Sequence, residues 1–159
     1  MCLQQGEVRA CSNPFAVTDL LLLVELHGLE AEYWYEVDHN RGRAAATFYE
    51  QSGTFAIGDT VFRGREEIAG FYRRREERGE RTARHVITNP RLTALAADHV
   101  RFESIMLLYA ADGVPVLESQ PPVMIADVVT EYVRTGGAWP VRARSLQPIF
   151  EGGVGAIKA

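Results

Sequence analysis

The chain has 159 residues, 47% of them hydrophobic and 24% charged, which is the make-up of one globular domain of ordinary size. A chain this long buries about 68–70% of its unfolded surface, so its core needs neither disulfides nor a structural metal. Cys2 and Cys11 have no Cys or His partner at metal-ligand spacing. With 17 basic and 21 acidic residues the net charge is −4, and no positive field exists to attract nucleic acid. The longest aliphatic run, Leu20 to Val24, falls far short of the roughly 20 residues that cross a bilayer, and Asp19 interrupts any secretory apolar segment. These features exclude nucleic-acid and membrane partners and lead to the expectation of a reducing, cytoplasmic setting.

Residues 1–17 mix Gly, Ser, Asn and Pro without a period and read as an arm that leads to Thr18 or Asp19 as an N-cap. A long helix follows, with Leu20, Leu23, Val24, His27, Ala31, Trp34, Tyr35 and Asp38 in steps of three and four on one face. Asp38 at its C-terminal end opposes the helix dipole, a cost that asks for a reason. Asn40, Arg41 and Gly42 break the chain, and Ala44 to Tyr49 reads as a short second helix. Thr54 to Ile57 and Thr60 to Arg63 form a hairpin around Gly58 and Asp59. A third helix starts near Arg65, with Glu66 and Glu67 in its first turn. Its basic run Arg73, Arg74, Arg75 and Arg78 reads as a solvated face interleaved with glutamates.

From Thr82 the period changes to two. Segments 82–95, 100–111, 115–133 and 138–150 read as long antiparallel strands, with Pro121 and Pro122 marking an edge or break in the third. Residues 18–150 thus make a single α+β domain, and 151–159 a loose Gly-rich tail. Three N-terminal helices cover one face of a strongly curved, mostly antiparallel sheet, a cone whose hollow suits a small ligand. The other sheet face is left open, and a homodimer is the expected way to cover it.

Several passages carry a family resemblance. They are the helix ending in Val37-Asp38, the stretch from Val61 to Ile68, the strand from Arg84 to Asn89, and the strand from Trp139 to Arg144. Together they resemble the SnoaL-like branch of the nuclear transport factor 2-like superfamily, from about Thr18 to Phe150. The resemblance implies the cone-shaped α+β barrel. Its functions range over scytalone dehydratase, steroid isomerases, polyketide cyclases, limonene epoxide hydrolase, oxygenase small subunits and modules that only bind or assemble. By similarity to the scytalone dehydratase type, Asp38 at the helix end orients His85 on the first long strand. The second pocket histidine of that type has no counterpart between Arg101 and Ala111, and Phe55, Ala56 and Ile57 stand where its hairpin tyrosine would be.

The residue chemistry supports the same pair. By strand alternation His85 shares a face with Ile87 and Asn89. An ionised Asp38 that accepts its Nδ1–H would fix the tautomer, favour the imidazolium and leave Nε2 for a ligand. One imidazole can then take a proton from the carbon beside a carbonyl and return it elsewhere, which is isomerisation, dehydration or cyclisation and asks for no metal or organic cofactor. Trp34, Tyr35, Asn89, Tyr49 and Tyr109 are the candidates to stack on the substrate or receive its negative charge. The reading is an acid–base enzyme that acts on a small hydrophobic carbonyl metabolite held in the cone. The plainer alternative for Asp38 and His85 is a structural hydrogen bond between two elements, and for Trp34 and Tyr35 ordinary packing. His27, His39 and His99 read as structural or solvated, and Arg142 and Arg144 as outward-facing on one parity. A ligand-binding or assembly module is the rival function, favoured if the cone is filled. An epoxide hydrolase would need Asp127, Glu103 and Arg101 or Arg142 to converge with Asp38.

Overall fold

The computed structural model describes residues 16–152, so most of the expected N-terminal arm and C-terminal tail, with both cysteines, lies outside the described residues. The first helix, α1, spans Val17–His39 and starts a little earlier than its polar residues suggest. Ala16 is the N-cap, and Asp19, two residues into the first turn, accepts the Ala16 amide at 3.2 Å. The buried face of α1 is Leu26, Glu30, Tyr33, Trp34 and Val37, whereas Val24, His27, Ala31 and Tyr35 are exposed. The helix is therefore rotated from the expected face. An acid sits in the middle of the true one, and an apolar count cannot see it.

Arg41 and Gly42 reverse the chain with φ of 61° and 72°. Gly42 has a steric reason as well, since a Cβ there would collide with the Tyr72 ring. The expected second helix is a single 3₁₀ turn, Ala45–Phe48, so the three helical segments are two α-helices and this turn. It passes directly into β1, Tyr49–Ile57, which is longer than the hairpin arm read from the sequence. β2 (Thr60–Arg63) pairs back onto β1, and α2 (Gly64–Glu77) follows. Then come β3 (Arg81–Leu95), β4 (His99–Asp112), β5 (Met124–Val133) and β6 (Val141–Glu151). β5 begins nine residues later than the expected 115: the consecutive prolines at 121 and 122 can donate nothing to a ladder, and pairing resumes only beyond them.

The strands form one mixed sheet in the order β2-β1-β6-β5-β4-β3, with β1 and β6 parallel and every other pair antiparallel. The chain runs from β2 at one edge to β3 at the other by way of α2, and this crossover curls the sheet around the helices. α2 packs on β1 and α1 on β3. Val100, Phe102, Ser104, Met106 and Leu108 of β4 point inward, while the residues between them are partly exposed on the outer face. The core they build, with Phe55, Phe62, Phe71 and Tyr72, is rich in aromatic rings at centroid distances of 4.7–6.4 Å. Among the described residues no helix is long and apolar enough to cross a membrane.

Candidate active site

The last turn of α1 delivers Asp38 against β3, and both of its carboxylate oxygens are spent on one residue. Oδ2 accepts the backbone N–H of His85 at 2.8 Å, and Oδ1 accepts Nδ1–H of the same residue at 2.6 Å. The acid at the wrong end of a helix dipole is thereby accounted for. A charge-assisted bond to each of two donors fixes both the strand and the imidazole plane. Both side chains are almost wholly buried, at 3% for His85 and 5% for Asp38. The Trp34 indole stacks on the imidazole at 4.2 Å and 20°, and its Nε1–H is fixed by Glu30 Oε2 at 3.2 Å. His85 thus has one freedom left. Nε2, on the far side of the ring, has no hydrogen-bond partner among the described residues.

His85 forms part of the wall of an inner cavity together with Trp34, Phe55, Tyr72, Arg75 and Met106. The space is small, about 10 Å³ for the centre of a water molecule, which is room for one water. Anything larger enters only if the lining moves, and the unbranched chains of Met106 and Met124 are suited to that. Burial pushes the His85 pKa below the usual histidine value; Asp38 opposes this, while Arg75 and Arg144 add to it. Asp38 does favour the imidazolium as expected, but burial outweighs it and the balance lies toward the neutral ring. A neutral ring with its proton on Nδ1 carries a lone pair on Nε2, the form of a base and not of an acid.

Beneath the cavity lies a buried charge cluster that the sequence reading did not anticipate. Arg144 and Glu30 are both inaccessible to solvent and pair at 2.7 Å. Glu30 Oε1 also accepts the Tyr132 hydroxyl at 2.7 Å, and Arg144 Nε donates to Thr130 Oγ1 at 3.2 Å. The guanidinium lies 3.7 Å from the centroid of the Tyr33 ring. Arg142 and Arg144 were expected to face outward together. β6 is bulged there, with Tyr132 opposite Val141 and Glu131 opposite Ala143, so Arg142 turns out to Glu50 at 3.2 Å and Arg144 turns in. Glu30 was legible in principle, being four residues before Trp34 on the stripe 26, 30, 33, 37; the bulge was not.

The remaining candidates lie apart from His85. Tyr35 is 57% exposed and stacks on His39 outside the barrel, because the rotation of α1 turns it away. Tyr49 is buried next to the cavity, where Tyr33 hydrogen-bonds both its hydroxyl and that of Tyr72, at 3.1 and 2.6 Å. Burial pushes the Tyr49 and Tyr72 phenols well above their usual range, so both are neutral. Tyr109 is exposed at the outer end of β4, in a groove with Arg84. Asn89 does not share the His85 face: its φ is 53°, the β3–β4 register slips between Thr88 and Arg91, and its side chain reaches an outer hollow. That hollow also contains Asp127, Glu103 and Arg101, on the face of the sheet opposite Asp38, so the convergence an epoxide hydrolase requires is absent among the described residues. Of the cavity's lining residues with polar side chains, Tyr72 and Arg75 were missed, because the basic run around them reads as solvated. Among the described residues no group of three His, Cys, Asp or Glu side chains is arranged to hold a metal ion.

Comparison with known proteins agrees with this architecture. The family model for the SnoaL-like domain matches residues 18–145. No curated protein matches the sequence. Among solved structures, ActVI-ORFA from Streptomyces coelicolor superposes with a TM-score of 0.72 at 15% identity, over 80% of this chain and 98% of that one. A protein from Novosphingobium aromaticivorans described as a scytalone dehydratase superposes at 0.71 and 14%, over 89% and 98%. Aln2 from a Streptomyces species superposes at 0.71 and 18%, over 80% and 91%. At such identities the likeness shows the fold alone.

Proposed function

We propose, on the premise that the chain belongs to the SnoaL-like family, that it is an acid–base enzyme of the dehydratase, isomerase or cyclase kind. Relatives of this fold include polyketide cyclases, dehydratases and isomerases. The substrate class is a small hydrophobic carbonyl compound such as a polyketide, steroid-like or aromatic metabolite. Nε2 of His85 removes a proton from the carbon next to the carbonyl and later returns it to carbon or to a departing hydroxyl. Asp38 holds the ring in the Nδ1–H tautomer and stabilises the imidazolium as it forms, and Trp34 offers a flat wall beside it. The observation that carries this reading is the double anchoring of His85 by Asp38, which leaves only Nε2 free at a cavity otherwise lined by apolar and aromatic side chains and Arg75. A general base so positioned contributes typically 10²–10⁴-fold in rate.

The test is solvent deuterium exchange at the α-carbon of 2-tetralone, followed by proton NMR. The protein should exchange it faster than buffer, and His85→Gln should lose at least two decades of that rate. Equal exchange in the variant would remove the proposal. A second reading, a ligand-binding or assembly module, is favoured by the narrowness of the cavity in this state. The outer sheet face, which exposes Val86, Tyr109 and Ile149, supports a homodimer through that face. Sedimentation of the protein against a Val86→Arg variant would check it, with a monomeric wild type as the contrary result.

A further inference from the structure

Arg75 is unlike the other arginines of its run. Arg73, Arg74 and Arg78 are more open to solvent, whereas Arg75 turns back under α2, with its guanidinium carbon 5.8 Å from the ring centroids of both Phe71 and Tyr72. These aromatic faces are contacts of its guanidinium, and the side chain makes no hydrogen bond or ion pair among the described residues. The acids near it are committed elsewhere. Asp38 uses both oxygens on His85, and Glu76 is held by Arg43 and Arg41. The side chain forms part of two hollows at once: the inner cavity beside His85, and a polar one of about 40 Å³ lined by Asp38, Arg41, Glu76 and Arg81. The charged groups around it are thus Asp38 and Arg41 from α1 and the turn after it, Glu76 from α2, Arg81 and His85 from β3, and more distantly Arg144 from β6.

A guanidinium largely withdrawn from water with no ion pair of its own is costly, and burial weakens its hold on its proton accordingly. The C-terminal dipole of α2 offsets only part of this. Such departures from good pairing concentrate where a ligand completes the site. We propose that Arg75 is the anion-binding residue of the inner cavity, and that its ligand is a flat apolar compound carrying an enolate, phenolate or similar oxyanion beside His85. This rests on the acid–base reading of His85 and adds to it where the charge goes. When the C–H bond breaks, the proton passes to Nε2 and the electron pair to the carbonyl oxygen, whose negative charge the guanidinium receives. The return step reverses both movements.

The probe is 4-nitrophenol, whose phenolate is read by absorbance, with uncharged 4-nitrotoluene as the shape control, read by quenching of tryptophan fluorescence. The intact protein should bind the phenolate and ionise the phenol at lower pH than buffer does. Arg75→Met should weaken phenolate binding about ten- to a hundredfold while leaving 4-nitrotoluene unchanged. Its thermal midpoint should equal or exceed that of the parent, which a merely structural arginine would not allow. Arg75→Lys, which keeps a point charge, should retain part of the affinity. Phenolate binding that is absent in the parent, or undiminished in Arg75→Met, overturns the proposal, as does its loss in His85→Gln with retention in Arg75→Met. A His85→Gln variant that still exchanges 2-tetralone normally sinks the acid–base reading separately, since that result leaves phenolate binding untouched.

Discussion

Replacing Glu30 with Gln should be among the most damaging single changes this fold can suffer, though it alters few atoms. The carboxylate is completely buried and accepts three hydrogen bonds, from Arg144 and Tyr132 at 2.7 Å and from Trp34 at 3.2 Å. Glutamine keeps the shape but removes the only carboxylate that hydrogen-bonds to Arg144 among the described residues, and the guanidinium stays buried with one of its nitrogens already unpartnered. Removing one member of a buried pair costs about 3–5 kcal/mol. For a chain of this size that lowers the thermal midpoint by about 6–20 °C. The cation–π contact to Tyr33 keeps the loss from being larger. Calorimetry of the single variants and of Glu30→Leu combined with Arg144→Met is the assay. The double variant should cost much less than the two singles together, because a pair replaced by apolar groups leaves no stranded charge. A loss below about 1 kcal/mol for Glu30→Gln, the range of exposed pairs, would refute the reasoning. So would additivity in the double variant.

The other predictions concern the site and its supports. Because burial lowers the His85 pKa below 6.5, the unfolded chain takes up this proton first on acidification. The contribution of His85 to stability is therefore fully present above pH 6.5 and is lost as the pH falls through the depressed value. Urea titrations should show His85→Gln with a flatter decline of stability over that window, and an unchanged slope would count against it. Asp38→Asn can still accept the His85 amide but would donate to Nδ1 and move the ring proton to Nε2; α-proton exchange should fall by about 10²–10⁴-fold. Gly42→Ala should cost about 1–3 kcal/mol by denaturant unfolding, since it strains a φ of 72° and drives a methyl into Tyr72.

The hairpin, the α2 boundary and the long strands were legible because local chemistry decides them: Gly58 and Asp59 at the turn, Gly64 at the helix start, and alternation along β3 and β4. Asp38 and His85 were legible for another reason, a family likeness joined to an acid placed where a helix dipole disfavours it. What stayed hidden depends on contacts distant in sequence. Glu30 looks like solvent-facing helix until Arg144, 114 residues away, is seen to pair with it. Arg144 looks outward until the bulge at Arg142 is known, and Asn89 seems to share the His85 face until the slip after Thr88 is known. Arg75 differs from Arg74 only in the direction the helix turns it.

The protonation state of the His85 imidazole decides whether it can act as a base, and nitrogen-15 NMR of the ring in the free protein reads it without any substrate. At pH 7 the signals should be those of a neutral ring with the proton on Nδ1, bonded to Asp38, and a bare Nε2. A ring protonated on Nε2 alone, or on both nitrogens, would contradict the assignment of His85 as the base.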